Sequence, residues 1–172
     1  MAKIGLFFGS STGKTEAVAY QIKSEFDKFE KDMVEVHNIG ASTPEQVLKF
    51  KNIIIGIPTW NTGELQDDWD VFFPRLREMD FSGHKVAFFG LGDQNGYGFN
   101  FLDAMGIVAD EVLMQGGDVF GLWPNKSYEF EESKAQVEDH FIGLGIDEEG
   151  QQGMTPERLG AWVTQVKEEF GL

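Results

Sequence analysis

FFGSSTGKT, residues 7–15, joins an apolar run to the start of a helix. It ends in Gly-Lys-Thr, as a P-loop does, but a P-loop needs a further glycine at a set distance upstream. That position is Phe8; the glycine stands at Gly9, so the loop is one residue short. What remains is a loop with hydroxyls at Ser10, Ser11, Thr12 and Thr15, two glycines, and a row of backbone N–H groups at a helix N-terminus. Such a loop can hold a phosphate without any arginine. A simple capped β-α turn needs fewer hydroxyls than this one carries, so phosphate binding is the preferred reading.

The same strand-loop-helix rhythm repeats along the chain. Apolar runs stand at residues 3–8, 33–39, 52–57, 84–90 and 118–123, and most read as strands buried on both faces, as in a parallel sheet. Helices are predicted near 14–29, 44–50, 67–78, 100–115 and 156–169. Ser42-Thr43-Pro44-Glu45 signals the start of the second, and Thr155 as N-cap before Pro156 signals the start of the last. Five β-α units in 172 residues predict an α/β fold: a doubly wound five-stranded parallel sheet of order 2-1-3-4-5, formed by a single domain over residues 1–172. Residues 124–140, PNKSYEFEESKAQVEDH, break the rhythm. They read as an insertion that interrupts the fifth strand, which should resume at Phe141.

Composition removes several classes of function. There is no cysteine, which excludes disulfides, thiolate catalysis and cysteine-held iron–sulfur clusters. His37, His84 and His140 are scattered without metal-ligand spacing. Met1-Ala2-Lys3 runs straight into an apolar strand and no apolar run reaches membrane-spanning length, so a cytoplasmic protein with neither leader nor membrane contact is expected. The net charge of −15 argues against nucleic acid, whose phosphates it would repel, and is compatible with a basic protein partner.

In a doubly wound sheet, ligands bind beyond the carboxyl ends of the strands where the winding reverses. The loops after the first, third and fourth strands therefore belong together. The second of them, PTWNTGEL (58–65), brings Trp60 to the mouth of the sheet, either to cover the core or to face a ligand. The third, GLGDQNGYGFNF (90–101), brings four glycines and Tyr97. A phosphate loop and two aromatic residues around one crevice would suit a flat ligand with a phosphate tail.

With GSSTGKTE, PTWNTGELQDDW, FGLGDQNGY and the closing stretch GLGIDEEGQQGMTPERLGAWVTQVKEEFGL assembled, the chain resembles the flavodoxins over its whole length. The insertion resembles that of their long-chain subgroup. The resemblance implies non-covalent FMN and a low-potential one-electron carrier, not an enzyme, working through semiquinone and hydroquinone flavin. Ser10, Ser11, Thr12, Gly13, Lys14 and Thr15 would hold the phosphate, with Lys14 pointing to solvent. Trp60 and Tyr97 would flank the ring. Pro58, Thr59, Asn61, Thr62 and Gly63 from the second loop, and Leu91, Gly92, Asp93 and Asn100 from the third, would contact ring or ribityl atoms. Asp147 would approach the ribityl chain. The Asn61–Thr62 peptide would turn over to accept a hydrogen bond from the half-reduced ring, and a positive φ at Thr62 would then cost about 1 kcal/mol. Gly98 and Phe99 depart from the small and polar residues expected after Tyr97, a change expected to loosen the third loop.

Glu64, Asp67, Asp68, Asp70 and Asp93 surround the predicted crevice. A carboxylate about 10 Å from a reduced, anionic ring costs roughly 0.4 to 1.7 kcal/mol, so several together would lower its potential. The same acids would orient basic-surfaced redox proteins: a reductase as donor, and a photosynthetic, nitrogenase or other reductive acceptor, met by a monomer. The acidic insertion is either a docking surface or a solvated hairpin. Three rival readings fit less well. An FMN-dependent NAD(P)H:quinone reductase needs an open face beside the ring. A nucleoside triphosphatase needs the full-length loop. A phospho-acceptor receiver domain needs acids after the first strand, where Gly9-Ser10-Ser11 stand.

Overall fold

In a computed structural model describing residues 2–172, five β-α units appear in the predicted order. Met1, on which the expectation of a chain without a leader partly rests, lies outside the described residues. The units are β1 (Ile4–Phe8), α1 (Lys14–Asp27), β2 (Val34–Asn38), α2 (Pro44–Leu48), β3 (Asn52–Trp60), the short β4 (Glu64–Leu65), α3 (Asp67–Leu76), β5 (Lys85–Leu91), α4 (Asp103–Met114) and β6 (Asp118–Phe120). After them come β7 (Trp123–Pro124), β8 (Gln136–Val137), β9 (His140–Phe141), β10 (Leu144–Ile146) and α5 (Thr155–Glu169). Among the described residues no helix is long and apolar enough to cross a membrane.

The main sheet runs β2-β1-β3-β5 in parallel, with the lane beyond β5 shared by β6 and β10. This is the predicted order, its fifth strand split in two. β6 pairs with Lys85–Ala87 and β10 with Phe89–Leu91, so the insertion leaves the sheet opposite Phe88. The strand resumes at Leu144 rather than Phe141. Phe141 instead pairs with Trp123 and Gln136 in a separate small sheet, β7-β9-β8. Gly121, at φ 80°, turns the chain out of β6, which therefore ends at Phe120.

Strand alternation divides the core. Phe7, Ile53, Ile55, Ile57 and Phe88 face one side and pack under α3, α4 and the insertion. Leu6, Phe8, Ile54, Phe89 and Ile146 face the other and pack under α1 and α5. The start of α2 agrees with the sequence reading, and those of α5 and α4 differ in detail. Thr43 caps α2 in a reciprocal capping box with Gln46. Thr155, expected as an N-cap, is already helical, because a 3-10 turn at Gln152–Met154 feeds the chain into α5. α4 starts at Asp103 rather than near residue 100, because Leu102 sits at φ 61°.

Candidate functional site

β1, β3 and β5 end along one edge of the sheet, and their following loops meet there around a cleft of about 250 Å³. Eleven of the predicted residues line it: Thr12, Lys14, Thr15, Pro58, Thr59, Trp60, Leu91, Gly92, Asp93, Tyr97 and Asn100. Phe101, Glu148 and Glu149 also line it and were missed. For the two glutamates the available signal was their place just after the last strand, on the same edge as the other loops.

The first loop is shaped by its own hydroxyls. Ser10 Oγ accepts the Gly13 N–H at 3.0 Å, and Ser11 Oγ accepts from Gln66 Nε2 at 3.0 Å. Of the four hydroxyl residues, Thr12 and Thr15 line the cleft. Gly13, at φ 85°, opens α1, so the helix's free N–H groups and partial positive charge lie beside it. Lys14 does not simply point to solvent: its ammonium pairs with Glu149 across the rim, and that carboxylate holds its pKa above the usual lysine range. Gln66, buried and missed by the sequence reading, ties the first loop to α3, because its Oε1 also accepts the Trp69 N–H at 3.4 Å.

The second loop is a hairpin rather than an open loop. β3 extends to Trp60 and folds back as β4, pairing Thr59 with Leu65 and Trp60 with Glu64. Asn61, Thr62 and Gly63 form its tip and do not line the cleft wall. The positive φ angles fall on Asn61 (48°) and Gly63 (93°), not on Thr62. Asn61 tolerates this better than a β-branched residue would.

The third loop is held firmly, contrary to the loosening expected from Gly98-Phe99. Asp93 Oδ1 accepts the N–H groups of Asn95 and Gly96, at 3.1 and 2.9 Å, closing a tight turn below Tyr97. The Gly98 carbonyl accepts two insertion N–H groups, from Glu131 at 2.8 Å and Glu132 at 3.0 Å. A β-carbon at Gly98 would lie 2.7 Å from the Gln94 carbonyl oxygen, so glycine is what lets the loop close.

Asp147 does not approach the cleft as expected. It is fully buried, and four N–H groups occupy its two oxygens. Oδ1 accepts from Glu149 and Gly150, and Oδ2 from the Gln94 backbone and side chain, at 2.7–3.2 Å. It clamps the third loop to the last one from behind. Its neighbour Glu148, partly buried at the wall, has its carboxyl pushed up by that burial against the opposing pull of the Thr155 hydroxyl and Lys14.

The residues present therefore fit a phosphate-tailed flat ligand: a helix N-terminus for the phosphate, two aromatic side chains on the wall, and a floor of Pro58, Leu91 and Gly92. Similarity to known proteins agrees with this geometry. The Flavodoxin family model matches residues 6–162. A flavodoxin of Picosynechococcus sp. is 46% identical, with both chains covered completely. Flavodoxin 1 of Escherichia coli is also 46% identical, over all of this chain and 97% of its own. Among solved structures, a Fusobacterium nucleatum flavodoxin bound to flavin mononucleotide superposes with a TM-score of 0.91 at 32% identity, covering 98% of this chain and 99% of that one. Sheet order, cleft and full-length similarity lead to one conclusion: this chain belongs to the flavodoxin family.

Proposed function

We propose that this chain carries electrons one at a time on non-covalently bound FMN, as an electron-transfer protein and not an enzyme. The observation that carries this reading is the meeting, on one sheet edge, of a phosphate-type helix N-terminus with Trp60 and Tyr97. When bound, the flavin supplies the redox chemistry and the protein tunes it.

Each segment has a separate task. Residues Ser10 to Thr15 would bind the phosphate through main-chain N–H groups and the Thr12 and Thr15 hydroxyls. Trp60 and Tyr97 would hold the ring and keep water from its faces. The Asn61–Gly63 tip, Asn100 and Asp93 would offer hydrogen bonds at the ring and ribityl edges. Asp147 would act behind the cleft by fixing Gln94. The acids near the cleft would make added negative charge on the ring costly. The whole chain, residues 1–172, would serve as a single FMN-binding domain, working as a cytoplasmic monomer with basic-surfaced redox proteins as donor and acceptor. A quinone reductase is not favoured, because two aromatic side chains on the ring leave no open face for a second flat substrate.

Titration of the flavin-free protein into micromolar FMN tests this. Quenching of flavin fluorescence that saturates at one equivalent is expected; no quenching at micromolar concentrations overturns the reading.

A further inference from the structure

Arg158 stands in the first turn of α5 with only 4% of its surface exposed. Its side chain runs back towards the helix start. There Nη2 donates to the Ser127 hydroxyl of the insertion at 3.3 Å and meets Met154 Sδ at 3.5 Å. The guanidinium lies over the Tyr128 ring, 4.1 Å from its centre. Its other terminal nitrogen, Nη1, is buried and has no hydrogen-bond partner among the described residues. No described carboxylate forms an ion pair with Arg158, in a chain of 29 acidic residues against 14 lysines and arginines. A buried cation left without an anion is costly. Its neighbours share the deficit. Thr155, the first residue of α5, is 3% exposed and its Oγ1 has no hydrogen-bond partner; it pulls on Glu148 without reaching it in a hydrogen bond. Asn125 Nδ2 and Gln151 Oε1 are buried and unpartnered too, and Gln151 is joined to the Ser127 carbonyl through Nε2 at 3.0 Å. No side chain caps α5, so the partial positive charge of its N-terminus adds to the guanidinium.

We propose that Arg158, Thr155 and the start of α5 form a binding site for one small monovalent anion of chloride size, seated where the insertion meets the last helix. Arg158 Nη1 and the Thr155 hydroxyl are donors, and a halide accepts from any direction. The unpartnered atoms are enclosed, which suits a single-atom ion better than a phosphate. Gln151 Oε1 is an acceptor and would take a water beside the ion. The Glu148 carboxyl is the acid that opposes the anion there. Asn125, Gln151, Thr155 and Arg158 do not line the cleft, so this site is separate from the one that would hold FMN.

The test titrates sodium chloride into the FMN-loaded parent chain, Arg158→Met, Thr155→Val and the exposed control Lys51→Ala, in buffer free of halide and phosphate. Chlorine NMR line width is the readout, because chloride held on a protein broadens the line. The parent should broaden it, and added bromide should narrow it again by displacement. Arg158→Met should weaken chloride binding about tenfold or more, and Thr155→Val about threefold. No broadening in the parent, equal broadening in Arg158→Met, or an equal loss in Lys51→Ala overturns the proposal; the unpartnered atoms then hold water only. Should Arg158→Met not fold, Thr155→Val decides by the same readout, and an unchanged line overturns the site. Chloride taken up at the first loop is common to parent and variants and drops out of their difference. Failure of the chain to load FMN would therefore overturn the flavin reading alone, since the same difference is measured on the flavin-free protein.

Discussion

Tyr128 shows how much one insertion residue is tied into the fold. It is buried, its hydroxyl donates to the Gly145 carbonyl at 2.6 Å, and the Arg158 guanidinium lies 4.1 Å from its ring centre. Burial pushes its phenol up to about 12, against the opposing pull of Arg158. An unfolded tyrosine ionises near pH 10, so between about pH 10 and 12 the unfolded chain releases a proton that the native chain keeps. Stability is therefore unaffected by this group below that window and falls across it, by about 2 to 3 kcal/mol. Urea unfolding at stepped pH should show the fall. Tyr128→Phe should cost about 1 kcal/mol at neutral pH and shrink the alkaline loss by comparison. Residue types alone did not reveal such roles. Asp147 carries the same carboxylate whether it faces a ribityl chain or clamps Gln94, and only its four N–H partners distinguish the two.

The elements were legible where local physics decides them. β1, β3 and β5 are apolar runs buried on both faces, and the Thr43–Gln46 capping box is local chemistry. The hairpin β3-β4 and the split lane β6/β10 were not legible, because each depends on a partner strand distant in sequence or on the way a turn closes. The insertion's seat on α4 is a contact of the same kind. A β-carbon at Gly106 would lie 2.4 Å from the Lys134 carbonyl carbon and oxygen and 2.7 Å from the Ala135 nitrogen. Gly106→Ala should gain up to about 1 kcal/mol of helix propensity but lose about 1 to 3 kcal/mol or more by forcing two backbones apart. A lower thermal midpoint is expected, with weaker FMN binding, because the displaced insertion also holds Gly98 and Asp103. A higher midpoint would show that the insertion is not anchored there.

At the scale of the whole molecule the governing quantity is a net charge of −15. Glu64, Asp67, Asp68 and Asp70 follow Trp60, and Asp93, Glu148 and Glu149 stand at the cleft, with Lys14 already paired to Glu149. Opposite charge on a partner would speed encounter and turn the cleft towards it. The second-order rate of electron transfer to a basic redox protein should fall on the order of tenfold or more as the Debye length shrinks from about 30 Å to about 3 Å. Transfer to a small neutral acceptor should barely change. Stopped-flow rates across that range check this, and equal salt dependence for both acceptors would show that charge does not guide encounter.

Continuous apolar runs, glycine punctuation and a phosphate-type turn are properties of short stretches, so the amino-acid sequence by itself determined the doubly wound sheet, the three loops on one edge and the character of their ligand. Which polar groups face that ligand, and which hold the loops from behind, was decided only in three dimensions. Asp103, Asp147, Gln66 and Gln94 find their partners as many as 55 residues away. The side of the wall on which a buried carboxylate ends depends on N–H groups that only the folded chain brings together.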